Sequence, residues 1–195
     1  MQRLLPTLLC VFVFCKLTAQ NVSHVYKVMY GSDSVGAMQL SVKKAGNDTE
    51  IKMTSAVTVK FIFSIRVTSM EEASFVNGRL FSSKAYRSVN GNEKINNKTW
   101  AAGNLYKTSG SNKTGYINSS QIDYNLLTLY VQEPSGINTV YSDNFQQFLK
   151  IEKTADHVYK IQLPDGNYNY YFFKDGICNK VEAHHSFYTI KMILL

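Results

Sequence analysis

The sequence predicts an all-β protein, with at most one short helix, built as a strongly curved antiparallel sheet of meander strands that forms a half-open or closed barrel. Three observations predict it. Short runs rich in Val, Ile, Thr, Tyr and Phe fill nearly everything after Asn21, and no long helical period emerges. Turn signals separate the runs at fairly regular spacing, among them Asn77-Gly78, Asn90-Gly91, Pro164-Asp165-Gly166 and Asp175-Gly176. Asn-Gly and Asp-Gly supply the positive-φ residues that tight hairpins need. The chain has only three prolines, and none interrupts a predicted central strand.

The first element is a leader. Residues 1–19 carry a basic start (Arg3), an apolar run from Leu4 to Leu17 and a small-residue exit at Thr18-Ala19. That is the pattern of a secretory signal peptide, with cleavage expected between Ala19 and Gln20. The apolar run is too short for a spanning helix, which needs about 20 residues. Neither Cys10 nor Cys15 follows a small residue, as a lipoprotein signal requires. The expected organisation is a signal peptide over 1–19 and a single β-domain over 20–195. After cleavage the protein is expected to be exported, periplasmic or extracellular, and not membrane-spanning.

The strands follow in order. Tyr26, Val28 and Tyr30 share one face, and Gly36, Met38, Leu40 and Val42 share another. Residues 51–67 give the longest alternation: Ile51, Met53, Val57, Val59, Phe61, Phe63, Ile65 and Val67 are apolar, and the even positions are mostly Lys, Thr, Ser and Arg. Period two puts every second side chain on one face, so one face is dry and the other wet. The run exceeds the usual ~3–10 residues of a strand, so either the strand is strongly bent or two strands meet at a kink near 59–63. Residues 90–120 are polar and read as edge strands and loops. Phe145, Phe148 and Leu149 lie near one helical face, so a helical turn is expected over 144–149. Residues 157–163, 167–174, 177–183 and 187–195 make a closing meander. An outer-membrane barrel would need long apolar outward faces throughout, which the polar middle third cannot supply.

Composition narrows the function classes. Removal of Arg3 and Lys16 with the leader lowers the formal charge from +7 to +5. The remaining basic residues are scattered, unlike the clustered stripe of a nucleic-acid binder. Of three cysteines only Cys178 survives cleavage, so no internal disulfide forms and the domain relies on its core. Cys178 reads as a buried apolar residue. Asn21, Asn47, Asn97, Asn112 and Asn118 match Asn-X-Ser/Thr, which the abundance of Asn, Ser and Thr explains.

No catalytic motif stands out. Gly-X-Ser-X-Gly, phosphate-cradling loops and dinucleotide fingerprints are all missing, so no cofactor is expected. Adjacent His184 and His185 point to opposite faces of a strand and cannot chelate one metal, so no metal site is expected and a surface pair is the plainer reading. Glu133 and Asp143, with Tyr141 between them, form a candidate polar site, and the two carboxylates could serve as an acid/base pair of the kind that cleaves glycosides. The plainer reading makes residues 133–136 a turn and Ser142-Asp143 a cap. Tyr168, Tyr170, Phe172 and Tyr188 suit either a groove for sugar or lipid or cross-strand aromatic pairing.

The densest run of distinctive residues is 127–136, then 139–143, Leu163-Pro164-Asp165-Gly166, Tyr168-Asn169-Tyr170 and Asp175-Gly176-Ile177. This succession resembles an uncharacterised, domain-of-unknown-function family of secreted bacterial β-rich proteins of this size, most strongly across 127–181. In layout alone the chain is similar to periplasmic half-barrels that carry lipids or lipoproteins. Neither resemblance implies an activity or supplies a catalytic residue. The function expected is that of a non-catalytic envelope protein. Its curved sheet holds an apolar, lipid-like ligand against Ile51, Met53, Val57, Val59, Phe61, Phe63 and Ile65. The alternatives are a structural module that binds an envelope protein partner, and a glycan-active enzyme using Glu133 and Asp143.

Overall fold

A computed structural model of the protein describes residues 20–60, 63–110 and 113–195. The expected leader, Phe61 and Asn112 lie outside the described residues.

Fourteen described strands succeed one another: β1 (Gln20–Tyr30), β2 (Asp33–Ala45), β3 (Asp48–Lys60), β4 (Ser64–Val76), β5 (Arg79–Val89), β6 (Asn92–Ala102), β7 (Leu105–Gly110), β8 (Lys113–Ile117), β9 (Thr139–Ser142), β10 (Gln147–Ala155), β11 (Val158–Gln162), β12 (Tyr168–Lys174), β13 (Ile177–His184) and β14 (Thr189–Leu194). All join one sheet, in the order β8-β7-β6-β5-β4-β3-β2-β1-β14-β13-β12-β11-β10-β9. Every ladder between neighbours is antiparallel, and β14 pairs with β1, so two meanders meet where Tyr26 opposes Leu194. The sheet curves around an apolar interior but no ladder joins β8 to β9, so it is not a closed barrel. The all-β, curved-meander expectation holds.

Residues 51–67 belong to two strands, as the second alternative has it, but they meet at a reversal and not at a kink. The chain reverses between Lys60 and Ser64, and β3 pairs with β4 so that Val57 opposes Val67 and Val59 opposes Ile65. Alternation reads the same through a reversal that keeps parity, which is why the two cases look alike in sequence. The reversal doubles the dry face, because the apolar residues of both strands point inward together.

The polar stretch after Asn90 is also more central than expected. β6 runs for 11 residues between β5 and β7, and of the strands in this stretch only β8 is an edge. Its inner face is polar because a polar partner covers it. The segment 118–146 folds back inside the curve of the sheet. Tyr106 anchors one end: its hydroxyl donates to the Leu80 carbonyl (2.8 Å) and accepts from Arg79 Nε (3.1 Å) and the Ile122 amide (3.3 Å). Thr99 Oγ1 and the Tyr141 hydroxyl share a hydrogen bond of 2.8 Å.

The turn between β9 and β10 then bridges to the far strands. Asn97 Nδ2 donates to the Asp143 and Asn144 carbonyls (3.0 and 2.8 Å), and Gln146 Nε2 to the Lys98 and Ser109 carbonyls (both 3.0 Å). Side-chain amides thus sew the two ends of the sheet together where a backbone ladder would otherwise close it. Asn97, one of the Asn-X-Ser/Thr matches, is used up in this seam.

The helical turn expected over 144–149 does not form. Residues 144–146 are a turn in which Gln146 takes φ of 52°, and Gln147 already begins β10. Its three apolar residues part ways: Leu149 is buried, Phe148 is exposed and Phe145 faces the interior. The one helical element among the described residues is a 3-10 turn, Thr128–Tyr130, fully buried against the sheet. Asn125 starts it, accepting from the Thr128 amide (3.2 Å) and hydroxyl (2.6 Å). The core is continuous from Leu40, Ile51 and Phe75 on one side to Ile161, Tyr171 and Val181 on the other, with Leu127, Leu129 and Tyr141 between them.

Candidate functional site

In an antiparallel meander, alternate turns fall at the same end of the sheet. The β1–β2, β3–β4, β5–β6, β11–β12 and β13–β14 turns therefore share one end. A cavity of about 450 Å³ opens toward that end, inside the curve. This is within the roughly 300–1,000 Å³ typical of ligand pockets. Its mouth carries Val59, Ile65, Leu163, Asp165, His185 and Tyr188, with Asp165 and Tyr188 reaching solvent. Its floor is buried: Met38, Met53 and Glu71 from the sheet, Tyr171 from β12, and Leu126 and Tyr130 from the inner segment.

Strand register arranges the wall in rows. Val57, Val67 and Val89 are paired across β3, β4 and β5 and form one apolar row. The next row inward is Ser55, Ser69, Arg87 and Ile95. Ser55 and Ser69 satisfy each other through a hydrogen bond of 2.7 Å. The row below holds Met53 opposite Glu71. The cavity is thus apolar near its mouth and polar at one depth on one wall.

The expected ligand-lining residues divide. Met53, Val57, Val59 and Ile65 stand on the cavity wall. Ile51 does not: it is one row deeper than Met53 and packed in the solid core. Phe63 does not either, since it lies at the reversal and is 67% exposed. Phe61 is outside the described residues.

The candidate polar site is not assembled as one site. Glu133 is fixed on the β10–β11 side, accepting from Tyr159 Oη (2.8 Å) and meeting His157 Nδ1 at 3.0 Å. Burial disfavours its charge, but the bonds from His157 and Tyr159 outweigh this and hold its pKa below the usual range. Asp143 sits in the interior, where its carboxylate accepts from Ser83 Oγ and from Asn125 Nδ2 (2.8 Å). Burial pushes it up to about 7; Glu71 adds to the push, and the bonds from Ser83 and Asn125 oppose it. Tyr141 is fully buried against Thr99. Glu133 and Asp143 share no hydrogen-bond partner, and neither they nor Tyr141 line the cavity. Among the described residues, no hydrogen bond or shared partner joins the two carboxylates.

Two groups that do face the cavity were not singled out from sequence. Glu71 accepts from Asn144 Nδ2 (3.1 Å). Burial raises its pKa, with Asn144 and the charge of Arg87 pulling the other way. Arg87 is the second group. Glu71 was legible, since it continues the odd-numbered inward series of β4. Arg87 was harder, because a bulge opposite Ser74 and Phe75 resets the parity of β5. His184 and His185 do point to opposite faces. His184 stacks on Tyr168 (4.7 Å between centroids), whereas His185 turns to the cavity mouth and stacks on Tyr188 (4.5 Å), so the pair is not simply a surface one. Outside, Tyr170 and Phe172 run along β12 with Lys180 over the Phe172 ring at 3.7 Å. Cys178 is buried, and burial pushes its thiol up to about 12, so it is not a thiolate nucleophile. Among the described residues no cluster of His, Cys, Asp and Glu could hold a metal, and no helix is long and apolar enough to cross a membrane.

No curated protein matches the sequence. Among solved structures, the fold is similar to that of a crystal structure described as a beta-barrel-like protein of Domain of Unknown Function DUF1849 from Brucella abortus, with a TM-score of 0.61. The two share 10% identity over 92% of this chain and 96% of that one, so the likeness is one of fold. Residues 26–195 match a family described as a domain of unknown function, DUF6134, which spans the whole curved sheet from Tyr26 onward, and the protein belongs to that family.

Proposed function

We propose that this is an exported envelope protein that holds an apolar, lipid-like ligand in the cavity of its curved sheet, without catalysing a reaction. The observation that carries the reading is the cavity, walled near its mouth by Val57, Val59, Ile65, Val67 and Val89. Apolar surface kept open to water costs about 25 cal/mol per Å², so an aliphatic occupant gains what that wall lacks when empty. The end that carries the mouth also displays Phe63 and Phe187, 67% and 96% exposed. Aromatic rings left in water there suit a site that receives its ligand from an apolar surface.

A neutral apolar dye such as N-phenylnaphthylamine tests the cavity. The parent protein is expected to enhance its fluorescence saturably, and Val57→Trp, which fills the mouth row, to weaken binding at least about tenfold while keeping the parent's melting curve. An unenhanced dye with the folded parent protein sinks the reading. Export is a separate expectation. Expressed in a Gram-negative host, the protein should fractionate with the periplasm and begin at Gln20 on N-terminal sequencing; a cytoplasmic protein that retains Met1 contradicts it.

A further inference from the structure

Arg87 is the one charged residue of the inner row that pairs with Ser69 on one side and Ile95 on the other. The ion pairs among the described residues use Lys52, Lys153, His157, Lys180, His184 and Lys191, and Arg87 takes part in none of them. Arg79, by contrast, is tied down: its Nε and Nη2 donate to the Tyr106 hydroxyl and to the Gly103 carbonyl. A half-buried guanidinium keeps five donors that need acceptors, and leaving them unmet in a closed space is costly.

The other ionisable groups on the cavity do not supply that acceptor. Glu71, one row deeper on the same wall, is buried and already takes a hydrogen bond from Asn144. Its carboxylate feels the Arg87 charge, but no ion pair joins the two among the described residues. Asp165 lies at the mouth in an exposed turn, where it accepts from the Asn167 amide. Burial favours the neutral form of His185.

Position then sets orientation. Arg87 is deeper than the Val57–Val67–Val89 row, and the wall toward the mouth is apolar. We propose that Arg87 is the headgroup anchor of the cavity, taking the carboxylate of a fatty-acid-like, single-chain ligand at depth while its aliphatic tail runs outward past Val57, Val67 and Val89. Guanidinium and carboxylate match as a planar, bidentate pair, and the apolar row matches the chain. The proposal rests on the apolar-ligand reading and narrows it to one class.

The test compares cis-parinaric acid with its methyl ester, which has the same chain and no charge. The parent protein is expected to bind the acid about tenfold or more tightly than the ester. Arg87→Gln should erase that preference and leave ester affinity within about twofold, whereas Arg87→Lys should keep part of it. Melting curves confirm that each variant is folded. Equal affinity of the parent for acid and ester, or a preference that survives Arg87→Gln, overturns the anchor and leaves the apolar-ligand reading standing. Failure of both probes, together with the neutral dye, overturns that reading itself.

Discussion

Asp143→Asn is expected to unfold at a higher urea concentration than the parent at pH 8, and by a clearly smaller margin at pH 5. The folded protein holds the Asp143 proton up to about pH 7 because burial disfavours the charge. The unfolded chain releases it near about 3.9. Between those values the folded form binds more protons, so stability falls as pH rises through the window. The cost is absent below the unfolded value and fully developed above the folded one, on the order of 2–4 kcal/mol. Asparagine never pays it. Its oxygen can accept from Asn125 Nδ2, and its amide can donate to Ser83 Oγ, so both neighbours of the native carboxylate keep a partner. Asp143→Ala is the reverse test at pH 5: it strands both polar groups and should cost about 2–3 kcal/mol. Glu71 titrates with the same sign, so the parent's pH dependence should be reduced by Asp143→Asn rather than abolished. A gap between parent and Asn variant that is equal at the two pH values refutes the assignment.

Gly36→Ala is the second large effect. Replacing a strand glycine normally helps, since glycine loses the most freedom on folding. Here the sign reverses. A Cβ at Gly36 would collide with the Ala56 carbonyl oxygen and come within 2.9 Å of Val57 Cα. Both obstacles are backbone, so the β2–β3 ladder must part instead of a side chain turning aside. The expected loss is about 1–3 kcal/mol, the usual range for an overfilled site. Amide exchange should quicken at Ala56 and Val57, where the strands are forced apart. A parent-like urea midpoint with unchanged exchange there would show that the ladder absorbs the methyl group. Because Val57 also stands on the cavity wall, the same variant should weaken binding of the neutral dye.

Sequence patterning reveals the sheet more fully than the site. Tyr26, Val28, Met38, Leu40 and Val42 announce their faces by period two, and each is buried as the alternation requires. The turns read equally well: Asn77-Gly78 and Asn90-Gly91 both take positive φ at each residue. What escapes is decided by distant parts of the chain. β6 looks like an edge because Asn97 and Thr99 are polar, yet Asn97 bonds the turn at 143–144 and Thr99 bonds Tyr141, partners 42 to 47 positions away by residue number. Asp143 looks like a solvent-facing cap for the same reason, since nothing local says that Ser83 and Asn125 will enclose it. Of the seven residues expected to line a ligand site, Ile51 fails because depth along the strand, and not only face, decides between packed core and open cavity. Phe63 fails because the reversal between β3 and β4 carries it out of the sheet. Arg87 is hidden by a one-residue bulge, to which a period-two reading is blind.

The pairing of β1 with β14 sets a timetable for the molecule. The first strand of the sheet to be synthesised waits for the last before its second edge is covered, and the strands between must be made in the meantime. Until residues 189–194 arrive, the first eight strands can form a ladder that ends in a bare β1, and the later ones a ladder that ends in a bare β13. Neither half is sealed, and contacts so far apart along a chain are slow to form. A chain of this design stays threadable and open to holding factors until its final strand emerges, and a handful of residues lost there would split the sheet down its middle instead of trimming its rim.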